Sequence, residues 1–316
     1  MSPRFSVITA VFNGRDTIKR LYESLEMQTY KNFEWIVIDD GSVDDTWRVA
    51  RELGEKSKFV VRVFRQKNGH KKVAVNRGVA LARGELVVVA DDDDELAEDA
   101  LAIFDRWWRW VDGMGRRDIV GVTGLCIDER GRLVGDRFPR SPMIATDLMI
   151  RLRYRVKGEK WGAKRTDIMI NFPYPENIRG YVPESVVWSR LDREYKTLYV
   201  NEVVRVYHLE RQREKRRRRG WEAATKAEGR SYAAREALER DWEAYVEAPF
   251  ELVKLTVNYI RYSLHCGKDP VSVVRNVAKS KARFVVALAL PVGVIMYWRD
   301  RLEVARSYLK NPLRLS

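Results

Sequence analysis

At 316 residues, with 45% hydrophobic side chains and a net charge of +14, the chain can hold one large α/β domain plus a helical appendage, or two modest domains. Two cysteines, Cys126 and Cys266, exclude a disulfide framework and a cysteine-based metal cluster, and they suit a reducing compartment. The excess positive charge favours polyanionic partners, namely nucleic acid, anionic lipid, or nucleotide and pyrophosphate groups, and Arg211–Arg219 alone carries seven basic residues.

The first residues, Met1-Ser2-Pro3-Arg4, lead directly into a strand and show no apolar run of the signal-peptide kind. Phe5 to Val11 reads as a strand ending in the turn signal Phe12-Asn13-Gly14. Asp16 is then expected to cap a helix, since Ile18, Leu21, Tyr22 and Leu25 follow the i, i+3, i+4, i+7 spacing. Trp35-Ile36-Val37-Ile38 is a second buried strand, closed by Asp39-Asp40-Gly41-Ser42. Asp44 or Asp45 starts a helix that stops near Gly54. Val60 to Phe64 is a third strand, and Asn68-Gly69 a turn. A helix over Val73 to Ala82 is expected to end at Gly84 in the manner of a C′ glycine.

Leu86-Val87-Val88-Val89-Ala90 then runs straight into Asp91-Asp92-Asp93-Asp94, and a helix follows around Leu101, Phe104, Trp108 and Val111. Strands alternating with helices of this length predict a doubly wound, mostly parallel α/β sheet. Both acidic clusters follow buried strands, so both belong at the carboxyl edge of the sheet, where such folds bind ligands. Carboxylates there can simply cap helices, and for Asp44 or Asp45 that is the better reading. For Asp39-Asp40 and Asp91 to Asp94 a nucleotide site is favoured: four adjacent carboxylates repel unless a cation or solvent offsets them, and Mg²⁺ or Mn²⁺ joins carboxylates to substrate phosphates. No Gly-x-Gly-x-x-Gly fingerprint and no Walker lysine motif follows the strands.

In this order and spacing, Ser6-Val7-Ile8-Thr9-Ala10-Val11-Phe12-Asn13, Trp35 to Ser42, Asn68-Gly69, Asn76-Arg77-Gly78, Ala82-Arg83-Gly84-Glu85 and Asp91 to Asp94 resemble an inverting glycosyltransferase of family 2, built on the GT-A fold. The resemblance covers roughly residues 5 to 210. It implies a nucleotide-sugar donor, a Mn²⁺ or Mg²⁺ ion, and single displacement at the anomeric carbon. The family's Asp-x-Asp motif falls on Asp91 and Asp93, with Asp93 as the favoured metal contact and Asp91 as donor-side carboxylate and metal ligand. Asp92 occupies the variable position on the donor side, and Asp94 supports the metal shell. The carboxylate that reads the base falls on Asp39 or Asp40, with a preference for Asp40, and Phe12 stands where the family packs an aromatic near the base. Ala10 replaces the family's proline in the donor-binding strand. Lys72 is a phosphate-contact candidate, against the plainer reading of a solvated lysine.

Inverting transfer also needs a base for the acceptor hydroxyl. Tyr181-Val182-Pro183-Glu184-Ser185-Val186-Val187-Trp188, followed by Tyr195-Lys196, matches the family segment that supplies it, which makes Glu184 the candidate. Its plainer role is the first turn of a helix after Pro183, where a carboxylate favours the dipole. His208, at the end of Val203 to Tyr207, is a candidate third metal ligand, although a histidine at a strand end is more often structural.

Arg211 to Gly220 reads as a basic loop, solvated or serving as an active-site lid, and Gln212 is not followed by the Gln-x-x-Arg-Trp motif of the family's polysaccharide synthases. Three parts are therefore expected: a GT-A nucleotide-sugar-binding and catalytic domain over 1–210, the basic loop over 211–220, and a helical region over 221–316. In the last, Trp221 to Val246 favours helix, Pro249 breaks it, and Leu252 to Leu264 resumes. Phe284 to Trp298 is uncharged and basic-flanked, with Pro291-Val292-Gly293 expected to interrupt it; it is a core helix or a segment lying in a membrane interface, the latter preferred. The expected activity is metal-dependent transfer from a nucleotide-diphosphate sugar, UDP-sugar favoured, to a hydroxyl acceptor that includes lipid-linked and surface glycans. It would take place in the cytoplasm or peripherally on the inner membrane face, against an anionic membrane surface and without nucleic acid. The alternatives are a nucleotidyltransferase on a sugar phosphate, for which Asn13-Gly14-Arg15 is a poor loop, and a basic nucleic-acid-binding protein, which leaves the acidic strand ends without a role.

Overall fold

The computed structural model describes residues 2–208 and 223–310. Contacts divide the chain into two compact units, Met1–Tyr174 with Arg190–Leu209, and Pro175–Ser189 with Glu210–Ser316. The expected basic loop, 211–220, and Trp221 lie outside the described residues.

In the first unit, β1 (Phe5–Val11), β2 (Phe33–Asp39) and β4 (Leu86–Val89) are buried along almost their whole length, as strands covered by helices on both faces must be. With β3 (Val60–Arg65) they pair in parallel in the order β3-β2-β1-β4, Val7 standing opposite Trp35 on one side and Val88 on the other. Helices α1 (Ile18–Glu26), α2 (Thr46–Lys56) and α3 (His70–Leu81) make the crossovers. Because β4 joins β1 on the side away from β2, the strand order reverses there, and a crevice opens at the carboxyl ends.

Beyond β4 the sheet is mixed. Strand β8 (Lys160–Arg165) runs antiparallel to both β4 and β6 (Ile119–Asp128), and β9 (Lys196–Tyr207) lies parallel to β6. The short β5 (Glu95–Leu96) and β7 (Met143–Ala145) pair antiparallel with β9. Helix α4 (Ala100–Gly113) buries Leu101, Phe104, Trp108 and Val111, the residues whose spacing predicts it. Each contributes roughly 1.5–3 kcal/mol through its removal from water.

Local details depart from expectation where tertiary contacts outweigh local signals. Helix α1 starts after Thr17, not on an Asp16 cap: Thr17 Oγ1 donates to the Gly14 carbonyl, while Asp16 stays exposed beside Arg15. Asp44, not Asp45, receives the first amide of α2, from Thr46 at 3.0 Å. Helix α3 begins at His70, earlier than expected, and Gly84 is not its C′ residue. A Cβ on Gly84 would stand 2.5 Å from the Ser6 amide nitrogen, so that glycine is required by close backbone approach to β1. Gly78 is constrained in the same way against Ile8. Asn76 clamps the Tyr174 backbone from both sides, at 2.9 Å each way.

In the second unit, α7 (Ala227–Arg240), α8 (Trp242–Val246), α9 (Pro249–His265), α10 (Pro270–Arg275) and α11 (Ser280–Lys310) surround a core of Leu238, Trp242, Tyr259, Ile260, Val273, Val277, Ala282 and Val286. Pro249 opens α9 at its first turn, where a missing N–H costs nothing. Pro291 does not interrupt α11. An interior proline costs a helix about 3 kcal/mol, but the helix is pinned on both sides of it: Val286 is buried, a Cβ on Gly293 would meet Ile260 at 2.4 Å, and Asp300 binds Arg261 and His265. Segment Pro175–Ser189 belongs to this unit. A Cβ on Gly229 of α7 would overlap the Tyr181 carbonyl oxygen at 1.8 Å, and Arg179 N donates to Glu228 at 3.1 Å.

Within the sheet, β9 is tied to the turn after β4 by an ion pair, Arg205 Nη2 to Asp94 Oδ1 at 2.8 Å, with both side chains nearly buried. Replacing Arg205 by Met strands that carboxylate and is expected to cost about 3–5 kcal/mol in urea unfolding. Burial already pushes the Asp94 carboxyl up, to about 7, against the pull of Arg205. Without the cation it rises further. A carboxyl with a raised folded-state pKa contributes stability below its unfolded value that is lost as pH climbs, so the deficit of Arg205→Met against wild type is expected to be larger at about pH 8 than at about pH 5.

Candidate active site

The site lies in the first unit, at the carboxyl ends of β2, β1 and β4. The loop after β1 links the two acidic clusters. Asn13, held at a φ of 52°, accepts the Val43 amide at 3.0 Å and donates its own amide to Ser42 Oγ at 2.9 Å. Gly14 donates to Thr46 Oγ1 at 2.9 Å, and a Cβ there would touch Asp92 Oδ2 at 2.5 Å. Thr17 Oγ1 also donates to Asp92. The strand ends expected to converge are thus stitched together by Asn13, Gly14 and Thr17, to which composition and spacing assigned no role beyond a turn.

Asp39 and Asp40 are both buried but differ in their partners. Asp39 accepts the Ser42 amide at 3.1 Å through Oδ1, and its Oδ2 lies 3.1 Å from Arg65 Nε. Asp40 uses Oδ1 for Gln66 Nε2 at 2.8 Å and the Gly69 amide at 2.9 Å. Its Oδ2, like that of Asp39, is buried with no hydrogen-bond partner among the described residues, but only the Asp39 oxygen has a cation, Arg65, beside it. Two donors on one oxygen and none on the other leave Asp40 oriented and still able to accept. Gly41, at a φ of +78°, makes the turn, and any Cβ there would press on the Asn68 amide at 2.9 Å. Ala10 lies opposite Ile38 in the β1–β2 ladder, and Phe12 stands half exposed just beyond β1.

The four carboxylates after β4 occupy different environments. Asp91 Oδ1 is 2.7 Å from Lys71 Nζ, and Asp92 is held by Thr17. Asp94 is buried, pairing with Arg205 through Oδ1 and accepting the Asp91 amide at 2.9 Å through Oδ2. Asp93 is half buried at the tip of the turn. Lys72 is buried in the first turn of α3, which removes the reading of a solvated lysine, and its neighbour Lys71 reaches Asp91 in the acidic turn. His208 does not join Asp91 and Asp93. Its Nε2 is 2.8 Å from Glu95 Oε2, since β5 and β9 pair and bring Glu95 alongside the end of β9. Among the described residues no three His, Cys, Asp or Glu side chains are gathered closely enough to hold an ion unaided. Asp91 and Asp93 nevertheless fit a hard cation, because such ions take one or two protein carboxylates and complete their shell with phosphate and water.

Glu184 falls in the second unit. It is half buried and immediately precedes α6 (Ser185–Asp192), whose first amides, Val187 and Trp188, donate to its carbonyl at 3.0 and 3.2 Å. Glu184 thus stands at the start of α6, in keeping with its plainer role. A cavity of about 600 Å³ lined by Glu85, Trp108, Arg116, Arg165 and Asp167 opens at the opposite, amino edge of β4. Two of its three arginines are paired, Arg165 with Asp167 and Arg116 with Asp118.

Residues 6–109, from β1 to within α4, match the family model Glycosyl transferase family 2. The chain is 27% identical over 218 residues to a GalNAc(5)-diNAcBac-PP-undecaprenol beta-1,3-glucosyltransferase of Campylobacter jejuni, an alignment that covers 66% of this chain and spans 66% of that relative's own length, just short of two thirds. Its fold is similar to that of S. aureus TarS 1-349 in complex with UDP, at a TM-score of 0.54 and 18% identity over 96% of this chain and 92% of that one. It is also similar to the mannosyltransferase PcManGT from Pyrobaculum calidifontis in complex with GDP-Man and Mn²⁺, at a TM-score of 0.53 and 17% identity over 95% of this chain and 88% of that one. With the acidic turn after β4, the acidic pair after β2 and this sheet topology, residues 6–109 belong to the glycosyl transferase family 2 and the chain carries a GT-A-type fold.

Proposed function

We propose that the chain moves a sugar from a nucleotide-diphosphate donor, UDP-sugar favoured, to a hydroxyl on a lipid-linked saccharide, with inversion at the anomeric carbon, and that it does so in the cytoplasm. The observation that carries the reading is Asp40, a buried carboxylate with two donors on one oxygen and, on the other, neither a cation nor a hydrogen-bond partner among the described residues, across β1 from the acidic turn. A buried acceptor of this kind is costly unless a ligand donor completes it. The imide N–H of uracil supplies such a donor, and Phe12 offers the base an aromatic face. The PP-undecaprenol acceptor of the C. jejuni relative and the UDP of the S. aureus complex support the acceptor and donor classes.

Asp91 and Asp93 would hold Mn²⁺ or Mg²⁺ on the diphosphate, where the ion neutralises the charge that develops on the leaving group. The Mn²⁺ in the mannosyltransferase complex supports that choice. Lys71, already beside Asp91, is placed to exchange its carboxylate partner for a phosphate oxygen. Asp94 and Arg205 hold the turn in shape beneath them. Glu184 takes the proton of the acceptor hydroxyl as its oxygen bonds to the anomeric carbon, while the bond from that carbon to the diphosphate breaks and the nucleoside diphosphate leaves. His208, engaged with Glu95, supports the turn from the side of β9 and not as a direct ligand.

Three measurements test this. In titration calorimetry with UDP, Asp40→Asn is expected to weaken binding by about ten- to a hundredfold, the loss of a hydrogen bond to a charged group, and Asp39→Asn by less; equal losses would remove the base-reading role from Asp40. Glu184→Gln is expected to lower transfer by about 10²–10⁴-fold with UDP affinity unchanged, and near-normal turnover would take the base role from it. Transfer is expected to stop in EDTA and return with Mn²⁺ in wild type, and to stay low in Asp93→Ala at any Mn²⁺ concentration. Full activity in EDTA would rule out the metal.

A further inference from the structure

We propose that the outer face of α11 is a docking surface for an anionic lipid bilayer, with the helix lying in the plane of the membrane interface instead of crossing it. The inference deepens the reading of a lipid-linked acceptor by naming the surface that would bring the chain to it. The most apolar eighteen residues of Ser280–Arg306 have a mean hydropathy of 1.5, yet only 17% of them are buried, so this is not the core helix its composition resembles. Phe284, Leu288, Val292, Ile295, Trp298 and Leu302 are all at least half exposed. From first to last they span five turns at 3.6 residues each, which places them in one stripe along the helix. The opposite face is occupied: Ala282, Val286, Gly293 and Asp300 pack on the rest of the second unit.

Three features select an in-plane arrangement on lipid. The uncharged run Phe284–Trp298 is fifteen residues, ~22 Å of helix, short of the ~30 Å needed to span. Asp300 is buried and held by Arg261 at 2.6 Å and His265 at 3.0 Å, so α11 cannot enter a hydrocarbon core without drawing these charges after it. The stripe is bracketed by exposed cations, Lys281 and Arg283 before it and Arg299, Arg301 and Arg306 after it, while the acidic groups of the same stretch are turned inward, as Asp300, or paired, as Glu303 with Arg299. Anionic headgroups complement such ends. A second copy of this chain would bring the same cations against them. Trp298 and Tyr297 stand where aromatic rings favour the interface.

The test is flotation of the full chain, without donor, on vesicles of equal parts phosphatidylcholine and phosphatidylglycerol and on phosphatidylcholine alone. Wild type is expected to float with the anionic vesicles, to weaken as salt rises, and to be released by alkaline carbonate. The double substitution Leu288→Glu with Ile295→Glu, on exposed positions, is expected to lose vesicle binding by roughly tenfold or more while melting as wild type does. Equal flotation of variant and wild type would overturn the inference. So would retention after carbonate, which marks a spanning helix, or a lipid-indifferent dimer in sedimentation that the double substitution dissolves. Because flotation is read without donor and UDP affinity without lipid, failure here leaves the proposed reaction standing, and failure of the reaction leaves the surface standing.

Discussion

Four adjacent carboxylates at the end of a buried strand are the constraint to which the first unit answers. Left unpaired they would repel, and the turn after β4 could not close. The chain supplies a separate answer for three of them: Lys71 from α3 beside Asp91, Thr17 from the start of α1 at Asp92, and Arg205 from β9 against Asp94. These partners come from three elements far apart in sequence, so the turn acquires its shape only when β1, β4 and β9 are assembled. Asp93 sits half buried at the tip of that turn.

The same logic separates the two acids after β2. A buried carboxylate is tolerated where its oxygens find donors. Both acids accept hydrogen bonds through Oδ1 and keep a buried Oδ2 without a donor, but that of Asp39 is offset by the Arg65 cation at 3.1 Å. Burial of an acceptor without a donor stores a preference for a ligand that supplies one. In the second unit, the Asp300 cluster with Arg261 and His265 makes the corresponding polar anchor, and it decides which face of α11 is inward and which remains for an outside partner.

Much of this was legible in the residues. The buried strands Phe5–Val11, Trp35–Ile38 and Leu86–Val89 announce themselves as apolar runs, and the acids that end two of them name the functional edge. The heptad-like spacing of Ile18, Leu21, Tyr22 and Leu25 was enough for α1. What failed were local punctuation marks. Gly84 looked like a helix stop and proved to be a point of backbone contact with Ser6; Pro291 looked like a break and sits inside a continuous helix. Lys72 and its neighbour Lys71 are indistinguishable by residue type, and only the rotation of α3 assigns one to the interior and the other to the acids.

Composition and order by themselves determined the fold class and the sheet edge at which the acidic clusters gather, because periodicity and acidic strand ends are one-dimensional signals. Only the tertiary structure decided which of two adjacent acids has a cation beside its buried oxygen, that His208 turns to Glu95, and that the apolar face of α11 points outward. Those outcomes depend on which donors arrive from elsewhere in the chain, and a hydrogen bond or an ion pair between residues a hundred positions apart leaves no trace in local spacing.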